Sequence, residues 1–352
     1  MATIFDYVNA KEIASYITTK PENKMPYFGE TLFPAKKQVG LDLKWIKGSQ
    51  GLPIALKPSA FDAKATVRER IGMSKVETEM AFFREGMRIG EKDRQELNKF
   101  INASNINFAT PIIQNIYDDV AKLVEGSRVQ AERMRMQLLS AGTIDVSANR
   151  VPYIYDYGFM GTHKETLLTT SRWSDTANAD PVDDILTWMD LVEADTGVRP
   201  TQAICTRKTF NYLIANAKIK SDMFLTTGSV ATMATVTESM IKQYLAAKIG
   251  VSVAIYNKKY DNGSGVATNY FPDEVFTLIP PGTLGNTYFG TTPEESDLMS
   301  GGTDAQVQIV NTGIALMTVK ETHPVNVYTI ASGIFLPSWE TIDSCFIAIV
   351  HA

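Results

Sequence analysis

Residues 271–292 read FPDEVFTLIPPGTLGNTYFGTT, a pattern of residue types that suggests anion chemistry. A β-branched and apolar run from Val275 to Ile279 ends in Pro280-Pro281, and Gly282, Gly285 and Gly290 follow. Many phosphate-binding loops begin this way, because glycine lets backbone N–H groups close on an anion and a following helix adds its positive end. Here the spacing is G-x-x-G-x-x-x-x-G, no Lys-Ser/Thr follows Gly290, and no helix is signalled next to it. Thr291-Thr292-Pro293 leads instead into Glu294 and Glu295, whose charges repel a phosphate. The stretch reads better as a tight exit from a buried strand, in which proline ends the ladder and glycine supplies unusual dihedrals.

The other chemically capable residues are scattered. His163, His323 and His351 are the histidines of the chain, and none has a second histidine or a cysteine at ligand spacing. Asp118-Asp119, Asp183-Asp184 and Glu294-Glu295 are adjacent pairs. On a helix such neighbours diverge by about 100° and do not converge on a metal, so they read as solvated faces or turns. Gly263-Ser264-Gly265 and Ser332-Gly333 lack the G-x-S-x-G elbow of a nucleophilic serine, and the first reads as a hairpin turn. Cys205 and Cys345 lie in strand-like apolar surroundings, where a free thiol behaves as a small hydrophobe. No catalytic, cofactor or metal site is expected, although residues 180–320 remain the place where an α/β enzyme would keep one.

Composition narrows the class. With 352 residues, 44% apolar and 21% charged, the chain has the make-up of a folded protein with one large core or two modest ones. Its longest apolar runs, such as Cys345 to Val350, fall far short of the roughly 20 residues that span a bilayer. Asp6 and Glu12 interrupt the start, so no secretory signal is expected and the chain reads as cytoplasmic. Residues 1–150 carry 22 Lys+Arg against 18 Asp+Glu, a net +4 in a chain whose total is −5, so the remainder carries −9. A solvated surface accounts for this; the sharper reading is a molecule with two electrostatically different ends, suited to self-association.

The spacing of apolar residues predicts a short helix over 8–17, then an irregular arm broken by Pro21, Pro26 and Pro34 yet rich in aromatic residues. Alternation over 39–47 and 64–80 predicts two strands of a long excursion, too thin to own a core. A helix over 91–101 precedes a long one, with Thr110-Pro111 as start signal and Gly142 as stop. Ile116, Val120, Leu123, Ser127, Ala131, Met134, Leu138 and Ala141 form one stripe of it, as in a one-faced helix lying across a sheet. Strand is expected over 143–157, followed by a mixed segment: helices over 183–195, 208–216 and 236–249, and strands over 203–205 and 251–256. Closing strands are expected over 306–320, 325–335 and 344–350.

The order of these parts, with FREGMRIGEKDRQEL at 83–97, VEADTGVRPTQAICTRKTFNYLIANAKI at 192–219, the opening glycine-rich stretch and ASGIFLPSWETIDSCFIAIV at 331–350, resembles the major capsid proteins of tailed bacteriophages. In particular it is similar to the lambda-type "major capsid protein E" family with the Hong Kong 97-type capsid fold. The resemblance implies an α+β fold with an N-terminal arm over 1–37 and an extended two-stranded loop over 38–88. It places a peripheral domain over 89–160, with a spine helix over 111–141, an axial domain over 161–322, and peripheral closing strands over 323–352. It implies a non-enzymatic shell subunit forming hexamers and pentamers around packaged double-stranded DNA, assembled as a procapsid in the bacterial cytoplasm and then expanded. Portal, scaffolding and cementing proteins are the implied partners, with no membrane; a cellular nanocompartment shell shares the fold.

On this reading Phe5, Tyr7, Tyr27, Phe28, Leu32 and Phe33 of the arm and Trp45, Leu52, Ile54, Phe61, Arg68 and Arg70 of the loop are candidate inter-subunit contacts. Pro281, Gly282, Leu284 and Gly285 form the axial-domain turn, where subunits of a capsomer would meet. Arg128, Arg133 and Arg135 are the candidates for facing DNA. However, Glu125, Arg128, Glu132 and Arg135 have the i, i+3, i+7, i+10 spacing of charges that compensate one another along a ridge. Any DNA contact there would be diffuse and salt-sensitive.

Overall fold

The computed structural model describes residues 8–19, 26–47, 74–102, 106–147, 153–224, 235–299, 305–322 and 325–351. The chain divides into two compact units, each assembled from three stretches. The first comprises Met1–Lys44, Glu77–Glu132 and Asn286–Ser338, and the second Trp45–Val76, Arg133–Gly285 and Trp339–Ala352.

The first unit starts with helices α1 (Ala10–Thr19) and α2 (Phe28–Leu32) and strand β1 (Ala35–Lys37). Strands β2 (Asp42–Lys47) and β3 (Ser74–Glu79), each divided between the two units, pair as a two-stranded ribbon, and β4 (Ala81–Arg88) leads into helices α3 (Glu91–Asn102) and α4 (Ile106–Ala141), the last of which passes into the second unit at Arg133. Its main sheet is completed by β13 (Thr287–Phe289), β14 (Gln306–Val310), β15 (Ile314–Thr322) and β16 (Val325–Pro337), in the order β1-β13-β16-β15-β14, with β4 also paired to β16. β16 is the organiser: it runs antiparallel to β15 from Thr322↔Val325 to Ile314↔Gly333, to β4 from Tyr328↔Arg88 to Phe335↔Ala81, and to β13 at its end. Residues 331–337 are buried throughout, so this strand reads as a near-continuous apolar run, as a strand covered on both faces should.

The second unit takes up the chain with β5 (Thr143–Asp145), β6 (Ile154–Asp156) and β7 (Lys164–Thr166). Then come α5 (Pro181–Thr196), β8 (Gln202–Cys205), α6 (Arg207–Ala215), α7 (Ala217–Phe224), α8 (Glu238–Lys248) and β9 (Ser252–Ile255). The hairpin β10 (Lys259–Asp261) and β11 (Ala267–Asn269), then β12 (Val275–Ile279) and β17 (Phe346–Ile349), complete it. The sheet order is β7-β17-β12-β8-β9, with β12 antiparallel to both neighbours and fully buried in its centre. The core packs Trp173, Trp188, Phe276 and Phe346, with Trp173–Phe276 and Trp188–Phe346 ring centroids 5.0 and 5.3 Å apart. Helix starts follow local rules: Asp180 caps α5 ahead of Pro181, Thr206 caps α6 and Thr237 caps α8.

Two expectations about the long helix are corrected. Helix α4 begins at Ile106, so Pro111 lies inside it rather than at its first turn. Its stop is as expected: Gly142, at φ +78°, donates its N–H to the Leu138 carbonyl at 2.8 Å. From Ala131 to Leu139 the helix is buried on most of its circumference, including Glu132 and Arg135, so the one-faced pattern holds only for its earlier turns. Residues 286–322, assigned to an axial domain with 161–285, belong to the first unit with β16, while β17 joins the second unit's sheet.

The glycine-rich stretch of 271–292 therefore links β12 of one unit to β13 of the other, and its glycines answer to geometry. Gly282 sits at φ +95° in an exposed turn. At Gly290 a Cβ would lie 2.6 Å from the Gly40 carbonyl oxygen and 2.9 Å from an Ile334 methyl. The first of these neighbours is backbone and cannot rotate away. Gly290→Ala should therefore destabilise the protein by about 1–3 kcal/mol through overpacking, read as a lower denaturant midpoint; an unchanged midpoint would refute this close approach.

Candidate assembly surfaces

The arm is stitched onto its own subunit. The Tyr27 hydroxyl donates to Glu125 Oε1 at 2.7 Å, and the Gly29 N–H donates to Glu132 Oε1 at 2.9 Å. Arg128 forks onto Glu30, with Nε and Nη2 each 3.2 Å from a carboxylate oxygen, and lies over the Tyr27 ring. Further along, Thr287 donates its hydroxyl to the Phe33 carbonyl at 3.0 Å, and β1 runs parallel to β13. Tyr27, Leu32 and Phe33 are consequently buried within the subunit, and Phe28 is half-buried. Of these expected inter-subunit residues, Tyr27 is held by α4 of its own chain, through its hydroxyl to Glu125 and the Arg128 guanidinium over its ring. Phe5 and Tyr7 lie outside the described residues.

The base of the extended loop is clamped in a similar way. Trp45 is buried, with its ring 5.4 Å from that of Tyr157. On β4, Arg84 pairs with Glu294, whose side chain is 2% exposed, and Arg88 pairs with Glu321 at 3.0 Å. The Tyr328 side chain covers Gly86 closely enough that a Cβ there would meet its hydroxyl oxygen at 2.4 Å and the nearest ring carbon at 2.6 Å. Lys37 reaches Glu295 at 2.5 Å and the Gly290 carbonyl at 3.0 Å. Glu294 and Glu295, read from sequence as a solvated turn, are thus two ion-pair anchors, one of them buried. Leu52, Ile54, Phe61, Arg68 and Arg70 lie outside the described residues.

An arm lying on a long helix, a two-stranded ribbon rooted beside the edge strand of a sheet, and a second unit with its own sheet form the context for comparison with known proteins. The family described as phage major capsid protein E matches residues 9–350. The chain belongs to that family. Among solved structures it is similar to a putative capsid protein of a prophage of E. coli CFT073, with 13% identity, a TM-score of 0.59, and 98% of this chain and 99% of the other covered. It is also similar to a phage-related protein from Bordetella bronchiseptica RB50, with 10% identity, a TM-score of 0.53, and 97% of each chain covered. A search of curated proteins found no match. The fold is the Hong Kong 97-type capsid fold, and the protein is a structural subunit of a phage shell that associates with copies of itself.

The remaining candidates divide into internal and external residues of this capsid protein. Of the arginines expected to face DNA, Arg128 is paired with Glu30 and Glu125, and Arg135 is 2% exposed. Arg133 donates from Nη2 to the Asp145 carbonyl at 3.4 Å and sits 5.9 Å from the Tyr260 ring centroid. The expected ridge of compensating charges is present in part: Arg128 and Glu125 are 3.5 Å apart, but the stronger partners come from the arm. In the turn after β12, Pro281 and Gly282 are exposed. Leu284 is buried, as is Gly285, and the Leu284 carbonyl accepts from the Glu340 and Thr341 N–H groups at 2.9 and 3.2 Å.

Among the described residues no group of three or more histidine, cysteine, aspartate or glutamate side chains could hold a metal. Nor is any described helix long and apolar enough to cross a membrane. Burial pushes the Cys205 and Cys345 thiols well up, as expected for packed hydrophobes. His163 is fully buried, with Nε2 3.0 Å from an Asp195 oxygen, and His351 Nδ1 is 2.6 Å from the Ser174 hydroxyl. Asp184 accepts from the Trp173 indole at 2.9 Å, and burial together with the charges of Glu165, Asp180 and Asp183 pushes its carboxyl up to about 6.

Two outcomes test this layout. Glu132→Ala, which strands a buried Gly29 N–H, should cost about 2–3 kcal/mol of stability, and Arg128→Ala about 1–2 kcal/mol. Equal and negligible effects on the denaturant midpoint would show that the arm is not held by α4. Asp184 has a folded pKa above its unfolded value, so its contribution is fully present below about pH 4 and is lost as pH rises through about 6. Asp184→Asn should remove that part of the fall in stability between mildly acidic and neutral pH, measured by denaturant titration at several pH values.

Proposed function

We propose that the chain forms the hexamers and pentamers of an icosahedral phage head, assembled in the bacterial cytoplasm as a procapsid that later expands around double-stranded DNA. The observation that carries this reading is the family match over nearly the whole length, including the arm and the loop roots. Charge adds support. Residues 45–76 hold six Lys+Arg against two Asp+Glu, so the net +4 of the first 150 residues resides in the extended loop, while the first unit as a whole is acidic. A basic projection and an acidic body suit docking of one copy on the next.

In this reading the first unit corresponds to the peripheral domain and the second to the axial domain. The exposed turn at Pro281-Gly282 and the loop residues Leu52, Ile54, Phe61, Arg68 and Arg70 are the inter-subunit contacts. DNA is held without base readout, Arg133 being the remaining candidate of the three helix arginines. Portal, scaffolding and cementing proteins are the expected partners, and the chain acts structurally rather than as an enzyme.

Purified protein at high concentration in physiological salt should give shells or curved sheets by negative-stain microscopy. A monomer or small oligomer under those conditions would sink the proposal. Deleting residues 49–63 should leave a cooperative thermal transition but abolish shells, because a thin two-stranded excursion owns no core; loss of the transition would mean that the loop belongs to the fold.

A further inference from the structure

The turn between β10 and β11 has a chemical arrangement that the shell role does not use. It reads Asp261-Asn262-Gly263-Ser264-Gly265, all exposed. Asn262 Oδ1 accepts two hydrogen bonds, from the Ser264 N–H at 3.2 Å and the Ser264 hydroxyl at 2.6 Å. The backbone donor identifies that atom as the oxygen of the amide. Asp261 Oδ1 accepts from the Gly263 N–H at 2.9 Å and the Gly265 N–H at 3.0 Å. Nothing lies within 4 Å of where a Gly263 Cβ would be, and its φ is +91°.

These contacts supply the groups needed for an intramolecular acyl transfer. The Gly263 nitrogen is adjacent in the chain to Asn262, whose side-chain Cγ is the electrophile. A carboxylate rests on the proton that the nitrogen must lose, the position of a general base. Two donors already face the oxygen on which negative charge would develop, the arrangement of an oxyanion hole. The absence of a side chain on residue 263 leaves the approach open.

We propose that Asn262-Gly263 is a self-modification site at which the turn converts its own asparagine to aspartate and isoaspartate through a succinimide. The Gly263 N–H proton passes to the Asp261 carboxylate as the Gly263 nitrogen bonds to Asn262 Cγ. The tetrahedral oxyanion forms against the two Ser264 donors. Asp261 returns the proton to Nδ2, the Cγ–Nδ2 bond breaks, and ammonia leaves. Water then opens the five-membered ring at either carbonyl. The net reaction consumes one water, releases one ammonium ion and adds one negative charge to the hairpin tip, with no redox step. A hairpin that ages from neutral to acidic at this position changes the charge of any surface on which it lies.

Peptide mass spectrometry tests the idea on the full-length protein, incubated at neutral pH and sampled over days in native buffer and, in parallel, in urea. The peptide containing Asn262 should gain about 1 Da ahead of those containing Asn178, Asn257 or Asn269, with isoaspartate detectable by its separate elution. Folded protein should react faster than urea-unfolded protein, and Ser264→Ala and Asp261→Asn should each slow the folded reaction by about tenfold. Both substitutions are on an exposed turn, and an unchanged melting temperature confirms that each variant is folded. Reaction in urea at or above the native rate, or insensitivity to both substitutions, would overturn the proposal, since the sequence Asn-Gly alone would then account for any conversion.

Discussion

A carboxylate with no exposure to solvent sits in the long helix of the first unit, and much of the arrangement around it follows from the need to satisfy it. Removing an ion from water costs several kcal/mol unless hydrogen bonds replace the lost hydration. Glu132 meets that requirement in part with the Gly29 N–H, which fixes the arm against α4. Nearby, on preceding turns of the helix, Glu125 takes the Tyr27 hydroxyl and Arg128 forks onto Glu30. With those residues fixed, Phe33 is buried and β1 is delivered to the edge of β13. The polar residues of one helix thus order a segment that has little periodicity of its own.

The same economy recurs at the root of the extended loop. β4 is an edge strand, and Arg84–Glu294 and Arg88–Glu321 hold its side chains to the first unit while its backbone pairs with β16. Buried or half-buried pairs of this kind contribute less net stability than their geometry suggests, but they penalise alternative registers, because a slip leaves a buried carboxylate unpaired. β4 is held in register by its own subunit.

The secondary structure was largely legible in the sequence. The helices over 91–102, 181–196, 207–215 and 238–248 and the strands over 202–205 and 252–255 fall close to their expected positions, whereas the strand expected over 306–320 is the hairpin of β14 and β15. Asp180, Thr206 and Thr237 cap helices within their own few residues, and Gly142 ends α4 through its own backbone. The start of α4 was misread because Thr110-Pro111 is a valid start signal that the structure does not use: the helix begins earlier and accommodates the proline within it. The candidate contacts were harder to read. An aromatic arm looks the same in sequence whether it packs on a neighbour or on its own chain, and Tyr27, Leu32 and Phe33 pack on their own chain.

By itself, then, the sequence determined the elements and their order, because periodicity, caps and turn residues act within windows of about 10–20 residues; the family entered as a resemblance of particular stretches in that order. The tertiary structure decided which sheet each strand joined and which charges were hidden. Lys37 finds Glu295 across 258 positions, Thr287 finds Phe33 across 254, and β17 leaves the sheet of β16 for that of β12. Such pairings depend on burial and register summed over distant segments, and no local window contains them. The residues at 271–292 show both levels. Their prolines and glycines announced a strand exit, and only the fold revealed that Gly290 is glycine because the Gly40 carbonyl leaves room for nothing larger.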